Sequence, residues 1–170
     1  KALAEKGDAN AQYNLGKIYA FGRGVEKDEK EAVKWYLLSA QQNYPRAQHS
    51  LGNVYHLGQG VERDEKEAYK WYLKAAEHNL PQSQNELGYM YAEGEWVEHD
   101  FEKAIEWFRK AAEQNLSDGQ SALGMLHVKG LGVDQDLVRG YAWYTIAATN
   151  GDKFANEEKV TLTKQMTPEQ

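Results

Sequence analysis

The chain has 170 residues, of which 41% are hydrophobic and 27% charged, so it can build a core but no more than one ordinary domain or a short array of small repeats. The absence of cysteine excludes a disulfide framework and any thiolate metal site or nucleophile. A net charge of −6 argues against a general nucleic-acid or anionic-membrane binder, and no apolar run approaches the roughly 20 residues of a membrane span. The first residues, Lys1 to Ala4, resemble neither an initiator methionine nor a signal peptide, so the chain reads as a piece of a longer one.

Sliding the chain against itself by 36 residues aligns it with itself four times without gaps. Gln12, Leu15 and Gly16 recur as Gln48, Leu51 and Gly52, then as Gln84, Leu87 and Gly88, then as Gln120, Leu123 and Gly124. Gly22, Val25, Asp28, Trp35 and Ala40 recur at the same interval as far as Ala148. Eleven of the 15 glycines fall on three repeated positions, and this periodicity makes them punctuation in a helical array.

Each unit reads as a pair of helices. Helix A of the first runs from about Ala9 to Phe21, and later copies begin at Pro45 and Pro81, which suit a first helical position. Gly16 lies mid-helix, where glycine costs roughly 1 kcal/mol against alanine. It is expected to admit a large side chain of helix B, Trp35 or Tyr36, against the backbone. Gly22 and Gly24 then break the helix. Asp28 is the N-cap of helix B, with Glu31 at capping-box spacing; Asp64 and Glu67 repeat this. Lys103 and Arg139 replace the glutamate in the third and fourth units, so weaker caps are expected there. Helix B is expected to bury Ala32, Trp35, Tyr36, Ser39 and Ala40 as its apolar stripe. Asn43, Asn79, Asn115 and Gly151 fall where it ends and tolerate a left-handed backbone. After Ala148 a fifth unit begins, but Lys159 and Val160 stand in place of leucine and glycine, so the segment reads as a polar capping helix. Thr167, Pro168 and Glu169 read as one more N-cap and first turn.

The pattern Ala11, Leu15, Gly16, Tyr19, Gly22, Gly24, Val25, Asp28, Ala32, Trp35, Tyr36, Ser39, Ala40 resembles the Sel1-like repeat, a branch of the tetratricopeptide-like helical repeats. The departures are Trp96 for the second loop glycine of the third unit, His127 for the helix A tyrosine, and Gly140 for a helix B alanine. The resemblance implies an all-α, right-handed α-solenoid of four 36-residue helix-turn-helix repeats plus a C-terminal capping helix. On that reading 1–170 is one solenoid domain, with repeats near 4–39, 40–75, 76–111 and 112–147 and the cap at 148–170. It further implies a non-catalytic scaffold or adaptor for protein–protein interaction, in a bacterial envelope, periplasm or cytoplasm, with no cofactor.

In tetratricopeptide repeats the polar arc of helix A lines a concave groove, and the resemblance carries that arc to this chain. The expected contacts with a protein or peptide partner are Tyr13, Lys17, Phe21, His49, Asn53, His56, Tyr89 and Met125. Asn85 and Ser121 lie on the same arc. Rigid aromatics and amides suit an extended or helical peptide. Trp96, in a glycine's place, is a possible second contact. His49 and His56 stand about 10.5 Å apart by helix rise, too far to chelate one metal ion. The Gly22–Gly24 loop lacks the Gly-Lys-Ser/Thr of a phosphate loop. Two other functions are compatible with the resemblance: a regulatory inhibitor or assembly factor, and a β-lactam or peptidoglycan hydrolase. Against the second, no serine heads a Ser-x-x-Lys motif, no Lys-Thr-Gly occurs, and no base stands at fixed helical spacing from any serine.

Overall fold

The computed structural model describes residues 1–94 and 96–167, and all its regular structure among them is helical. The helices are α1 (Ala2–Glu5), α2 (Ala9–Phe21), α3 (Glu29–Ala40), α4 (Pro45–Leu57), α5 (Glu65–Glu77), α6 (Pro81–Glu93), α7 (Phe101–Glu113), α8 (Ser117–Lys129), α9 (Leu137–Thr149) and α10 (Lys153–Thr163). They form two compact units, Lys1–Ser83 and Gln84–Gln170. The fold class is the expected all-α repeat fold. Of the expected final cap at Thr167, Pro168 and Glu169, the latter two lie outside the described residues.

Local chemistry sets the helix ends. Gly22, Gly58 and Gly130 close their helices in the left-handed region, and the chain turns toward the next helix. Asp28, Asp64, Asp100 and Asp136 each accept a hydrogen bond from the third amide of the helix that follows, at 2.9 to 3.0 Å. The weaker caps expected at Lys103 and Arg139 are not seen. Both basic side chains fold back onto the capping carboxylate, Lys103 Nζ at 3.1 Å from Asp100 Oδ2 and Arg139 Nε at 3.2 Å from Asp136 Oδ2. The reciprocal bond of a capping box is not made at Asp28 or Asp64 either: their amides donate to the Tyr19 and Tyr55 carbonyls, and Glu31 and Glu67 pair with Lys34 and Lys70. Asn43, Asn79 and Asn115 adopt φ of 58°, 63° and 63° at the ends of the B helices.

In the first unit α2 packs on α3, α3 on α4 and α4 on α5. The core gathers Ala32, Val33, Tyr36, Ala40, Ala47, Leu51 and Val54. The mid-helix glycines do what their position implies. A Cβ on Gly16 would lie 2.6 Å from Tyr36 Cδ1, so the ring rests directly on the α2 backbone. Tyr72 meets Gly52 in the same way, and in the second unit Phe108 meets Gly88 and Tyr144 meets Gly124. The adjacent tryptophan was expected in the core too. Instead Trp35, Trp71, Trp107 and Trp143 are half-buried, because the next residue takes the glycine slot. The Trp35 indole is left at the rim, where Nε1 donates to Glu31 Oε1 at 3.0 Å.

The repeated glutamine is a buried bracket between helices. Gln12 Nε2 donates to the Ala4 carbonyl, Gln48 to Ala40 and Gln120 to Ala112, each eight residues back. The acceptor oxygen is then met from 30 residues ahead: Gln42 donates to Gln12 Oε1 at 2.7 Å, Gln114 to Gln84 Oε1 at 2.8 Å and Asn150 to Gln120 Oε1 at 2.9 Å. His78 occupies that position in the second repeat, and there Gln48 Oε1 is buried without a partner.

In the second unit α7 packs on α8, α8 on α9 and α9 on α10. Asp152 caps α10 through its bond from the Ala155 amide and accepts a second bond from the Ser121 hydroxyl. Gly140 receives Val128, whose Cγ2 occupies the space a Cβ on Gly140 would need. Trp96 is about half exposed (53%) and carries φ of 65°. Its backbone adopts the left-handed form that Gly24, Gly60 and Gly132 supply in the other loops, although a bulky residue pays roughly 1–2 kcal/mol there.

Candidate functional site

The first unit carries two adjoining pockets along the A helices. The larger, about 540 Å³, has an apolar floor of Ala20, Ala32, Tyr36 and Val54. Lys17, Phe21, Lys27 and Glu29 stand at its rim, and His49, Ser50 and Asn53 form the opposite wall. The smaller, about 430 Å³, is lined by Tyr13, Arg46, His49, Leu80, Pro81 and Gln82. Tyr13 and His49 line both, and so form a ridge between them. Each volume falls in the range of small-ligand or side-chain pockets.

The ridge is held from both sides. Tyr13 lies between Tyr36 and Tyr44, with ring centroids 6.0 and 5.4 Å away, and Lys17 Nζ sits 5.4 Å above its ring. Tyr44 in turn donates its hydroxyl proton to Asn10 Oδ1 at 3.1 Å. His49 belongs to a chain of hydrogen bonds. The Tyr72 hydroxyl donates to Asn53 Oδ1 at 2.7 Å, which turns the Asn53 amide nitrogen toward His49 Nε2 at 3.3 Å. Because Nε2 accepts, the ring proton is on Nδ1, which donates to Ser83 Oγ at 2.9 Å. Burial pushes the imidazole down to about 4, so it is neutral at pH 7. Burial also pushes the Tyr36 hydroxyl up to about 12, followed by the influence of Tyr13. The walls are therefore fixed by neutral groups, and the rim supplies the charge.

This arrangement sets a serine beside a histidine, which spacing along the chain does not show. It is not an activated nucleophile. Ser83 is fully buried, and it receives the His49 proton where a general base would accept one. Among the described residues no group of three or more His, Asp or Glu side chains could hold a metal ion.

Five of the eight expected contact residues, Tyr13, Lys17, Phe21, His49 and Asn53, line these two pockets. His56 does not. Its Nδ1 lies 3.0 Å from Glu65 Oε2, and Arg63 Nε donates to the other carboxylate oxygen at 2.6 Å. Burial alone would raise the Glu65 carboxyl, but these two bonds outweigh it and hold it below its usual value. Tyr89 and Met125 belong to the second unit. Tyr89 sits edge-on to Phe108 at 5.0 Å. Burial raises its hydroxyl, and Asp118, Glu86, Glu93 and Asp152 add to the effect. Met125 packs against both core clusters of that unit. Asn85 and Ser121 are buried. Lys27, Glu29, Ser83 and the floor residues Ala32, Tyr36 and Val54 were not among the expected residues. Lys27 and Glu29 follow the glycine turn, and only the folding of that turn carries them back over helix A.

The Sel1 repeat pattern matches residues 9–44, 45–80, 81–116 and 117–152. The chain belongs to the Sel1 repeat family. The Sel1 repeat protein of Oxalobacter formigenes is 38% identical, with a TM-score of 0.88 over 90% of this chain and 62% of that one. A protective antigen of uropathogenic Escherichia coli with an SLR fold is 41% identical, also at 0.88, over 91% of this chain and 33% of its own. A component of an ERAD-associated E3 ubiquitin-protein ligase, HRD3A of Arabidopsis thaliana, is 43% identical over 44 residues, 25% of this chain and 6% of that protein. The chain thus spans less than two thirds of each of these relatives. Sel1 repeats are typically protein–protein interaction modules, and their proteins are generally non-catalytic helical scaffolds.

Proposed function

We propose that the chain is a non-catalytic adaptor that holds a peptide segment of a partner protein in the two-pocket cleft of residues 1–83. The observation that carries this reading is the pair of pockets sharing the Tyr13–His49 ridge. Two adjacent recesses separated by one ridge suit two side chains of a single extended or helical segment. The Tyr72–Asn53–His49–Ser83 chain fixes one wall before any ligand arrives, which lowers the ordering cost of binding. Tyr13 and Phe21 supply aromatic anchors, and the exposed Phe21 ring is 64% accessible.

The test is selection from a library of random seven-residue peptides displayed on phage, run on the wild-type chain and on Tyr13→Ala with His49→Ala. Wild type should enrich a sequence family, and the double variant should lose binding by a few kcal/mol with unchanged helicity. Equal enrichment by both proteins would move the site away from the cleft.

A further inference from the structure

The charge around the cleft is unbalanced in a direction opposite to that of the whole chain. The protein carries −6. Yet Glu29, which lines the larger pocket, and Glu65, which holds His56 of α4, are already taken. Glu29 Oε1 pairs with Lys27 Nζ at 2.7 Å, and Glu65 pairs with Arg63 and His56. On helix B, Glu31 pairs with Lys34 and Glu67 with Lys70. Lys17 lines the larger pocket and Arg46 the smaller. Among the described residues neither has a carboxylate within ion-pair distance. Lys17 rests on the Tyr13 ring, and Arg23 lies 5.4 Å over the Phe21 ring at the far rim. The helix A positions of the second unit differ, since burial raises the Tyr89 hydroxyl there and Asp118, Glu86, Glu93 and Asp152 all act on it to raise it further.

We propose that the cleft selects acidic peptide segments, in which an apolar side chain enters the larger pocket and carboxylates on either side of it meet Lys17 and Arg46. This deepens the peptide-binding reading and rests on it. The chemistry follows from what each pocket lacks. The floor of Ala20, Ala32, Tyr36 and Val54 offers no charge and only the Tyr36 hydroxyl as a polar group, so an aliphatic or aromatic side chain suits it. The two cations stand one in each pocket, on opposite sides of the Tyr13–His49 ridge. They have no internal acid to lose, so a carboxylate gains an ion pair without breaking one. Charges beyond about 8 Å are screened at physiological salt, so the acidic loops elsewhere do little to repel such a segment once it docks. His49 is neutral at pH 7 and adds neither attraction nor repulsion.

The same library decides the matter. Wild-type protein should enrich peptides with aspartate or glutamate flanking leucine, isoleucine, methionine or phenylalanine. A fluorescein-labelled peptide from that pool, followed by fluorescence anisotropy, should bind about tenfold more weakly to Lys17→Glu and to Arg46→Glu, and its affinity should fall as salt rises. Lys164→Glu, a charge reversal in the second unit, should bind like wild type. Panning on Lys17→Glu with Arg46→Glu should turn the selection toward lysine and arginine; circular dichroism checks that this variant is folded, and Lys17→Gln with Arg46→Gln serves if it is not. Enrichment of neutral or basic peptides that Tyr13→Ala with His49→Ala fails to bind would overturn the charge selection and leave the peptide site standing. Acidic peptides bound equally well by the charge-reversed or glutamine double variant would overturn it as well. Retention of no peptide by wild type would overturn both readings.

Discussion

Replacing His78 with glutamine should stabilise the protein. Three of the four buried glutamine brackets are complete, because Gln42, Gln114 and Asn150 donate to the acceptor oxygens of Gln12, Gln84 and Gln120. In the second repeat His78 stands where those donors stand, and Gln48 Oε1 is buried without a partner. An unpartnered buried acceptor costs about 1–3 kcal/mol, and a completed hydrogen bond returns about 1 kcal/mol net. His78 is exposed, so no packing is lost in the exchange. It is the C-cap residue of α5, and glutamine keeps its backbone amide bonds there. The expected gain is therefore about 1 kcal/mol. Urea denaturation should show a higher midpoint with the same slope, and thermal unfolding a rise of about 2–4 °C. The converse change, Gln42→His, should cost a similar amount by orphaning Gln12 Oε1. His78→Ala should stay within about 0.5 kcal/mol of wild type, since alanine supplies no donor. Equal stability of His78→Gln and His78→Ala would refute the bracket as an energetic element.

Further outcomes follow from the same geometry. Gly88→Ala should cost about 2 kcal/mol, because the new methyl would lie 2.6 Å from Phe108 Cδ1. Phe108→Leu should recover part of that loss in a double-variant cycle read by denaturant unfolding. Gly140→Ala alone should destabilise by about 1–2 kcal/mol through its clash with Val128, whereas Gly140→Ala with Val128→Ala should recover most of it, as the Ala20 and Ala32 pair of the first repeat implies. The pH dependence has a definite sign. The folded His49 imidazole is held near 4 and the unfolded one titrates at 6.5, so its contribution is complete above pH 6.5 and is lost as pH falls toward 4. With partial exposure allowed for, that loss is about 2 kcal/mol, and it should be absent from the pH profile of His49→Gln.

Most of the fold was legible because a repeat writes each local rule four times. Asp28 as N-cap, Gly22 as helix stop and Asn43 as a left-handed corner depend only on neighbours within a few residues, and all three stand as expected. The tryptophan was misplaced because Trp35 and Tyr36 are adjacent and both apolar; only the angle at which α3 crosses α2 decides which ring meets Gly16. The cleft was partly legible. Tyr13, His49 and Asn53 share a helical arc, but the Ser83 contact joins residues 34 apart and has no local sign. The departure of His56 toward Glu65 was hidden for the same reason. Of the charged residues on the helix A arc, Lys17 and Arg46 lie in the first unit and Glu93, Asp118 and Lys129 in the second.

The Gly140–Val128 fit bears on how an array of near-identical units avoids pairing with itself in the wrong frame. Alignment at 36 residues makes one A helix almost as good a partner for a B helix as the next, so a slip by a whole repeat would satisfy most contacts. Val128 resists that slip. The B helices of the other repeats carry Ala32, Ala68 and Ala104 at the position of Gly140, and each would meet Val128 with a methyl group where only hydrogen fits. A residue that looks like a weakness in α9 thus acts as a key that only α8 can turn, and one oversized side chain opposite one undersized one supplies frame information that repetition has erased.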